Sequence, residues 1–113
     1  IEYALAAFGI SGLETSFALS YTKLVKENGL SLLALSKLMS ANPAAMLCVE
    51  GGSIAEGVKA DITVCDLNKE WVVDSSKFLS KGKNTPFNGM KLWGEVVMTI
   101  ADGRIVYSEG ING

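Results

Sequence analysis

The first half of the chain places apolar residues at the spacing of a helix. From Leu13 to about Lys26 they recur every three or four residues, so one face of a helix can be buried. Glu14 favours the positive end of that helix's dipole, and Asn28-Gly29 provides a stop signal. Gly9 and Gly12 interrupt the pattern before it begins, which predicts a loop over residues 8–12.

A second helix is predicted over residues 32–39. Ser31 is a suitable N-cap, because its hydroxyl can accept a hydrogen bond from a free backbone N–H of the first turn. Asn42-Pro43 is expected to end this helix, since the residue before a proline disfavours helical backbone angles. A third short turn is then expected from Ala44 to Val49.

Beyond Gly51-Gly52 the period of the apolar residues shortens to that of strands. Runs of β-forming residues predict four strands, at 61–66, 71–73, 92–100 and 104–107. Between the last two strands, Ala101-Asp102-Gly103 contains the Asp-Gly pair typical of a tight hairpin turn. The second half is therefore predicted to be a sheet.

The segment from Lys77 to Asn88 is rich in turn residues and is predicted to be an irregular crossover. Phe78, Leu79 and Phe87 are its expected apolar anchors. The architecture is then α+β, with helices first and a mainly antiparallel sheet after them. Short strands leave unpaired edges, and natural sheets pair, cover or charge such edges. Strands from elsewhere are therefore expected to complete the sheet.

Composition narrows the classes of function. The 113 residues are far fewer than the roughly 250 of a (β/α)₈ barrel, so a complete barrel enzyme is excluded. Charged residues make up only 19% of the chain, against about 25% in typical domains, which indicates apolar faces meant for a partner or for missing parts of the same polypeptide. The net charge of −2 and the scattered basic residues do not favour nucleic-acid binding. No apolar run approaches the ~20 residues of a membrane span and no leader opens the chain, which predicts a cytoplasmic protein.

The residue types also limit the chemistry. The chain has no histidine, which rules out Ser-His-Asp and Cys-His catalysis, and His-containing zinc sites, by this chain alone. Cys48 and Cys65 lie among apolar neighbours without a CxxC spacing, so they are predicted to be buried free thiols. Several acidic residues are expected to serve caps and turns rather than catalysis: Glu14, Asp61, Asp66 and Asp102.

Phe8-Gly9, followed by Gly12 before the first helix, is the feature that favours contact with a ligand. A glycine-containing turn ahead of a helix can present bare backbone N–H groups to an anionic or carbonyl-bearing ligand. Turn geometry alone is the alternative use of the same glycines. The residues by themselves leave both interpretations open.

A set of motifs resembles the class I dihydroorotases, members of the amidohydrolase superfamily. The motifs occur in family order along nearly the whole chain: Phe8-Gly9-Ile10-Ser11-Gly12-Leu13-Glu14-Thr15, Asn42-Pro43-Ala44, Gly52-x-Ile54-x-x-Gly57-x-x-Ala60-Asp61, Ser80-Lys81-x-x-Asn84-Thr85-Pro86-Phe87-x-Gly89 and Gly94-x-Val96-x-x-Thr99-Ile100-x-Asp102-Gly103. The motif that begins at Gly52 alone marks amidohydrolases broadly. The motifs around Glu14 and Asn84 narrow the resemblance to dihydroorotase, with allantoinase and dihydropyrimidinase as near relatives.

The resemblance implies a C-terminal fragment of such an enzyme. Residues 1–50 would be the terminal loop and helices of its (β/α)₈ metal-dependent hydrolase barrel, with residues 1–12 as the loop after the eighth strand. Residues 51–113 would be part of a composite antiparallel β-sandwich, which strands from the N-terminus of the full polypeptide complete in the family. This implication agrees with the open sheet edges expected above.

The family's chemistry is implied for the full-length enzyme. There, zinc activates a hydroxide that attacks the ring amide of (S)-dihydroorotate and gives N-carbamoyl-L-aspartate, reversibly, in de novo pyrimidine (UMP) biosynthesis. The zinc ligands and the catalytic aspartate are expected upstream of Ile1, so this chain is assigned no catalytic or metal-binding residue. Phe8 and Gly9 match the family's substrate contact, which implies recognition of the polar edge of the pyrimidine through backbone groups.

Three alternatives to an active dihydroorotase stay open. The first is a related cyclic amidase, allantoinase or dihydropyrimidinase, and the second is a non-catalytic dihydroorotase-like partner of aspartate transcarbamoylase. The third is an unrelated small α+β binding module. The expected partners are the substrate and product, the missing N-terminal part of the same chain and further copies in a homo-oligomer, without nucleic acid or membrane. The fragment alone is expected to be inactive and to self-associate through its uncovered apolar surface.

Overall fold

The helices of the chain precede its strands, as the sequence predicts. The computed structural model describes residues 2–6 and 8–110. Its elements are α1 (Ser16–Ser20), α2 (Leu32–Ser36), α3 (Asn42–Leu47), β1 (Ile62–Val72), β2 (Lys91–Ala101) and β3 (Arg104–Ser108). Single 3₁₀ turns lie at Tyr3–Leu5 and Ser75–Lys77. Within these described residues, no helix has both the length and the apolar character of a membrane span.

The first helix ends where its sequence signals predict. α1 continues without a break into a π-helical segment, Tyr21–Lys26. The side-chain amide of Asn28 donates to the Lys23 carbonyl (2.5 Å), and the backbone N–H of Gly29 donates to the Val25 carbonyl (2.9 Å). These bonds satisfy carbonyls of the last turn, so Asn28-Gly29 is confirmed as the stop.

The second helix passes through Asn42-Pro43 instead of ending there. Ser31 is confirmed as its N-cap, because its Oγ accepts from the backbone N–H of Ala34 (3.1 Å). α2 then widens into a π-helical segment, Lys37–Ala41, before α3 begins. A proline ring normally clashes with the carbonyl four residues earlier, and a π turn moves those carbonyls away from it. The predicted break is therefore wrong, and the helix runs on to Leu47.

The sheet has three antiparallel strands in the order β1-β2-β3. The two strands predicted at 61–66 and 71–73 are one strand, β1, whose register shifts between Asp66 and Glu70. Asp66 Oδ1 accepts from the backbone N–H of Asn68 (2.9 Å), which holds the extra residues as a local bulge. The prediction of four strands is wrong because these polar residues bulge out of one strand and do not reverse the chain.

The hairpin between β2 and β3 is confirmed. Asp102 and Gly103 both have positive φ, 51° and 73°, as a two-residue turn that matches the twist of the strands requires. Asp61 Oδ1 accepts from the backbone N–H of Asp102 (2.7 Å) and so ties the start of β1 to this turn. Within the described ranges, the outer edges of β1 and β3 have no strand beside them, which agrees with the expected open edges.

The first helix packs on the sheet at Gly94. This buried glycine of β2 lies beneath the side chains of Phe17 and Tyr21, whose rings stack with their centroids 6.0 Å apart. Next to Tyr21, the buried hydroxyl of Thr22 accepts from the Trp93 backbone N–H (2.8 Å) and donates to the Trp93 carbonyl (3.3 Å). Both backbone groups of Trp93 are thus satisfied by the helix.

The buried core is small for so apolar a chain. It consists of Ala18, Val73, Phe78 and Leu92, where the helix, the crossover and β2 meet. Many large apolar side chains remain exposed, among them Phe8, Leu13, Leu33, Met46, Leu47, Ile54, Leu79, Ile105 and Val106. This exposure agrees with the apolar faces expected from composition.

Two predictions of burial are wrong. Of the expected anchors of the crossover, Phe78 is buried and Phe87 is half-buried, but Leu79 is 89% exposed. Cys48 is exposed and Cys65 is half-buried, although both thiols are free as predicted. Cys48 follows the last residue of α3 in a left-handed conformation (φ 53°), and α3 itself buries no residue. Burial raises the pKa of the Cys65 thiol.

Candidate functional site

The loop before α1 carries Phe8 and Gly9, the predicted ligand contact. The Phe8 ring is fully exposed, and Gly9 has a φ of 105°. Among residues 2–6 and 8–110, none accepts a hydrogen bond from the backbone N–H of Phe8 or Gly9. Exposed backbone donors of this kind are the groups that the predicted contact requires.

Hydrogen bonds fasten this loop to the crossover between β1 and β2. The side-chain amide of Asn84 donates to the Gly9 carbonyl (2.5 Å), and the Asn84 carbonyl accepts from the backbone N–H of Ser11 (2.7 Å). Ser11 Oγ donates to the Gly82 carbonyl (2.8 Å). We call this contact between residues 9–14 and 79–84 the clasp.

Glu14 forms the other end of the clasp. Its Oε1 accepts from the backbone N–H of Ser80 (2.9 Å), and its Oε2 accepts from that of Leu79 (3.1 Å). Burial raises the pKa of the Glu14 carboxyl, but the hydrogen bonds from Ser80 and Leu79 and the charge of Lys83 outweigh it and leave the pKa below its ordinary value of 4.5. The sequence assigned Glu14 to the helix dipole, whereas the structure shows it holding the crossover.

Glu14→Gln should lower the free energy of unfolding at about pH 7 by less than about 1 kcal/mol, because the carboxylate is exposed and screened by solvent. Its pKa is lower in the folded than in the unfolded state, so this stabilisation is present above pH 4.5 and is lost as the pH falls through the folded pKa. Denaturant unfolding at a series of pH values measures it. Glu56→Gln is the control, since the Glu56 carboxylate contacts no described hydrogen-bond donor. If wild type and Glu14→Gln still differed by the same free energy of unfolding in acid, the stabilising role of the Glu14 carboxylate would be contradicted.

The other predicted acidic residues serve turns. Asp61 and Asp66 accept the backbone hydrogen bonds described above, and Asp102 lies in the hairpin turn with an exposed contact to Lys59 (3.8 Å). In the part of the chain that the structure describes, no three His, Cys, Asp or Glu side chains converge as metal ligands would. A catalytic zinc needs three protein ligands close together, and the chain has no histidine to add to these scattered carboxylates and thiols, so the described residues do not fit a zinc site of their own.

A broad cleft of about 1420 Å³ lies between the helices, the sheet and the loop around Gly52. Apolar side chains such as Phe17, Leu35 and Ile54 line much of it, and neither Phe8 nor Gly9 does. Small-molecule sites combine an apolar wall with a few convergent polar groups and perturbed titratable residues. Glu14 and Leu79 of the clasp border this cleft, but the backbone donors of Phe8 and Gly9 lie outside it.

The contact between Asn84 and the loop is what sequence reasoning missed. Asn84, Ser11 and Glu14 all lie in motifs that carry the family resemblance, so their importance was visible. Their mutual contact was not, because Asn84 and Gly9 are separated by 75 positions. A hydrogen bond over that separation leaves no periodic signal in a single sequence.

Known proteins match nearly the whole length of this chain. The amidohydrolase family model matches residues 4–106. A dihydroorotase from Clostridium botulinum (strain Eklund 17B / Type B) is 54% identical over 101 residues, and one from Bacillus subtilis (strain 168) is 50% identical over 109. The alignments cover 89% and 96% of this chain but only 25% and 26% of these relatives. The chain thus spans about a quarter of the length of the curated relatives it matches.

Solved structures show the same fold inside larger chains. L-hydantoinase (dihydropyrimidinase) from Arthrobacter aurescens matches with a TM-score of 0.86 and 35% identity, over 94% of this chain and 24% of that one. D-hydantoinase (dihydropyrimidinase) from Thermus sp. matches with a TM-score of 0.86 over 96% of this chain and 24% of that one, and at 22% identity the likeness is one of fold alone.

Proposed function

This chain belongs to the amidohydrolase family, and from that premise we propose that it is the C-terminal part of a dihydroorotase. The complete enzyme would interconvert (S)-dihydroorotate and N-carbamoyl-L-aspartate in pyrimidine biosynthesis. One observation carries the proposal: the chain is 54% and 50% identical to two dihydroorotases over most of its length. Its identity to the L-hydantoinase of matching fold is 35%.

The contribution of this chain would be substrate recognition by the loop at Phe8 and Gly9. Their backbone N–H groups have no acceptor among the described residues, and a ring carbonyl oxygen is a suitable acceptor for such donors. Because the donor groups of this chain do not fit zinc, the metal site and the catalytic aspartate of the complete enzyme would come from other residues. No catalytic step is therefore assigned to this chain.

The rest of the same polypeptide would cover the open surfaces. Residues 1–50 would close the barrel, and residues 51–113 would join further strands in a composite sandwich. The unpaired edges of β1 and β3 and the exposed apolar side chains support this arrangement. We further propose that the complete enzyme is a cytoplasmic homo-oligomer. Residues 1–113 in isolation would be inactive.

The test is turnover by the complete polypeptide with zinc supplied. We expect dihydroorotate to be converted with a kcat/KM at least about a hundredfold above that for hydantoin or dihydrouracil, because a site built for a charged ring substituent rejects analogues that lack it. The isolated 113-residue chain is the control and should show no turnover. Failure of the metal-loaded, folded polypeptide to convert dihydroorotate would overturn the proposal.

A cyclic amidase of the hydantoinase type is the second candidate. The TM-score of 0.86 to the L-hydantoinase favours it. The same assay separates the two functions, since a hydantoinase would show the opposite order of kcat/KM. Absence of turnover for every cyclic amide tried, allantoin included, would instead favour a non-catalytic partner of aspartate transcarbamoylase.

A further inference from the structure

The crossover forms a fixed base on the sheet. Its Phe78 side chain is buried in the core, and its two ends are joined because the Val73 backbone N–H donates to the Met90 carbonyl (2.9 Å) and the Gly89 N–H donates to the Val73 carbonyl (2.8 Å). Asn88 Oδ1 accepts from the backbone N–H of Ser75 (2.9 Å). Residues 79–84 therefore project from a part of the crossover that the sheet holds in place.

The substrate loop depends on this base. Every described hydrogen bond from residues 8–12 to a distant part of the chain ends on Gly82 or Asn84. Asn84 contacts the loop on both sides of Ile10, through its side-chain amide to the Gly9 carbonyl and through its own carbonyl to the Ser11 N–H. Together these bonds fix the orientation of the peptide planes that follow Gly9.

We propose that Asn84 is a positioning residue, which holds the backbone of Phe8 and Gly9 in the geometry that contacts substrate. The inference rests on the proposed function, because it assigns Asn84 to the same substrate site. Asn84 itself would not touch substrate. Its side-chain N–H fixes the Gly9 carbonyl, and the loop presents the donors. A polar group that preorganises a binding loop lowers the cost of ordering that loop when substrate binds.

The test compares two asparagines of the crossover in the complete, zinc-loaded enzyme. Asn84→Asp keeps the shape but removes the N–H that donates to Gly9, and Asn84→Ala removes it without adding charge. Both should raise KM for dihydroorotate about two- to tenfold with kcat changed less than about twofold, as expected for lost ground-state binding. Asn88→Asp is the matched control, because it adds the same charge while keeping the Oδ1 acceptor for Ser75, and its KM should be that of the wild type.

Hydrogen exchange provides a readout that does not depend on activity. The loop peptide containing Ser11 should exchange faster in both Asn84 variants than in the wild type and Asn88→Asp. Faster exchange together with a raised KM supports the inference. An unchanged KM in an active enzyme, or unchanged exchange, would overturn the inference alone, whereas a wild type that does not convert dihydroorotate would overturn the proposed function as well.

Discussion

Gly52→Ala is expected to lower the free energy of unfolding by about 2–4 kcal/mol. An added Cβ would lie 2.6 Å from the Cα of Ala41 and 3.2 Å from the carbonyl oxygen of Ser40. Both are backbone atoms of the π-helical segment, so no flexible side chain can move aside. Gly52 also has a φ of 77°, which costs a residue with a side chain about 1–2 kcal/mol. The loop after α3 and the second helix would therefore have to separate.

Gly57→Ala is the control for Gly52→Ala, and the difference between the two losses of stability measures the steric clash alone. Gly57 has a nearly equal φ of 81° in the same loop, but an added Cβ would meet nothing within 4 Å. Its substitution should cost only the backbone strain, about 1 kcal/mol. Denaturant unfolding of the complete polypeptide, followed by circular dichroism, compares the variants. Equal losses for the two substitutions would show that Gly52 is not packed against the helix.

Gly94→Ala is expected to destabilise the protein by about 2–3 kcal/mol. Its Cβ would lie 3.0 Å from Cδ1 of Tyr21 and 3.1 Å from Cε1 of Phe17, in the centre of the contact between the first helix and β2. The rings can yield only by lifting the helix. That movement would strain the two bonds between the Thr22 hydroxyl and the backbone of Trp93 (2.8 and 3.3 Å). Packing and hydrogen bonding would thus be lost together.

Gly89→Ala is the matched control for Gly94→Ala, because its φ is 81° against 86° and its Cβ would point into open space. A second check combines Gly94→Ala with Phe17→Leu. A smaller side chain at position 17 makes room, so the double variant should be destabilised less than the sum of the single variants. Strict additivity would place the cause of destabilisation somewhere other than the ring contact.

The candidate site could be located from the sequence but not assembled from it. The motifs around Phe8, Glu14 and Asn84 were visible as a family resemblance, and the family itself is confirmed. The substrate contact of Phe8 and Gly9 stays a prediction. That the motifs form one clasp follows only from the path of the chain, because β1 and the crossover carry Asn84 back to Gly9 over 75 positions.

Elements that depend on a few neighbouring residues were determined by the sequence itself. The Ser31 cap, the stop at Asn28-Gly29 and the Asp102-Gly103 turn each need only local hydrogen bonds or backbone angles, and all are confirmed. Tertiary structure decided whether a residue that normally ends a helix or a strand actually does so. The helix accommodates Pro43 by widening into a π-helical segment. β1 accommodates its polar residues in a bulge, because pairing with β2 continues on both sides of them. The local sequence likewise did not determine whether Leu79 and Cys48 are buried, because the exposure of a side chain depends on which distant parts of the chain pack against it.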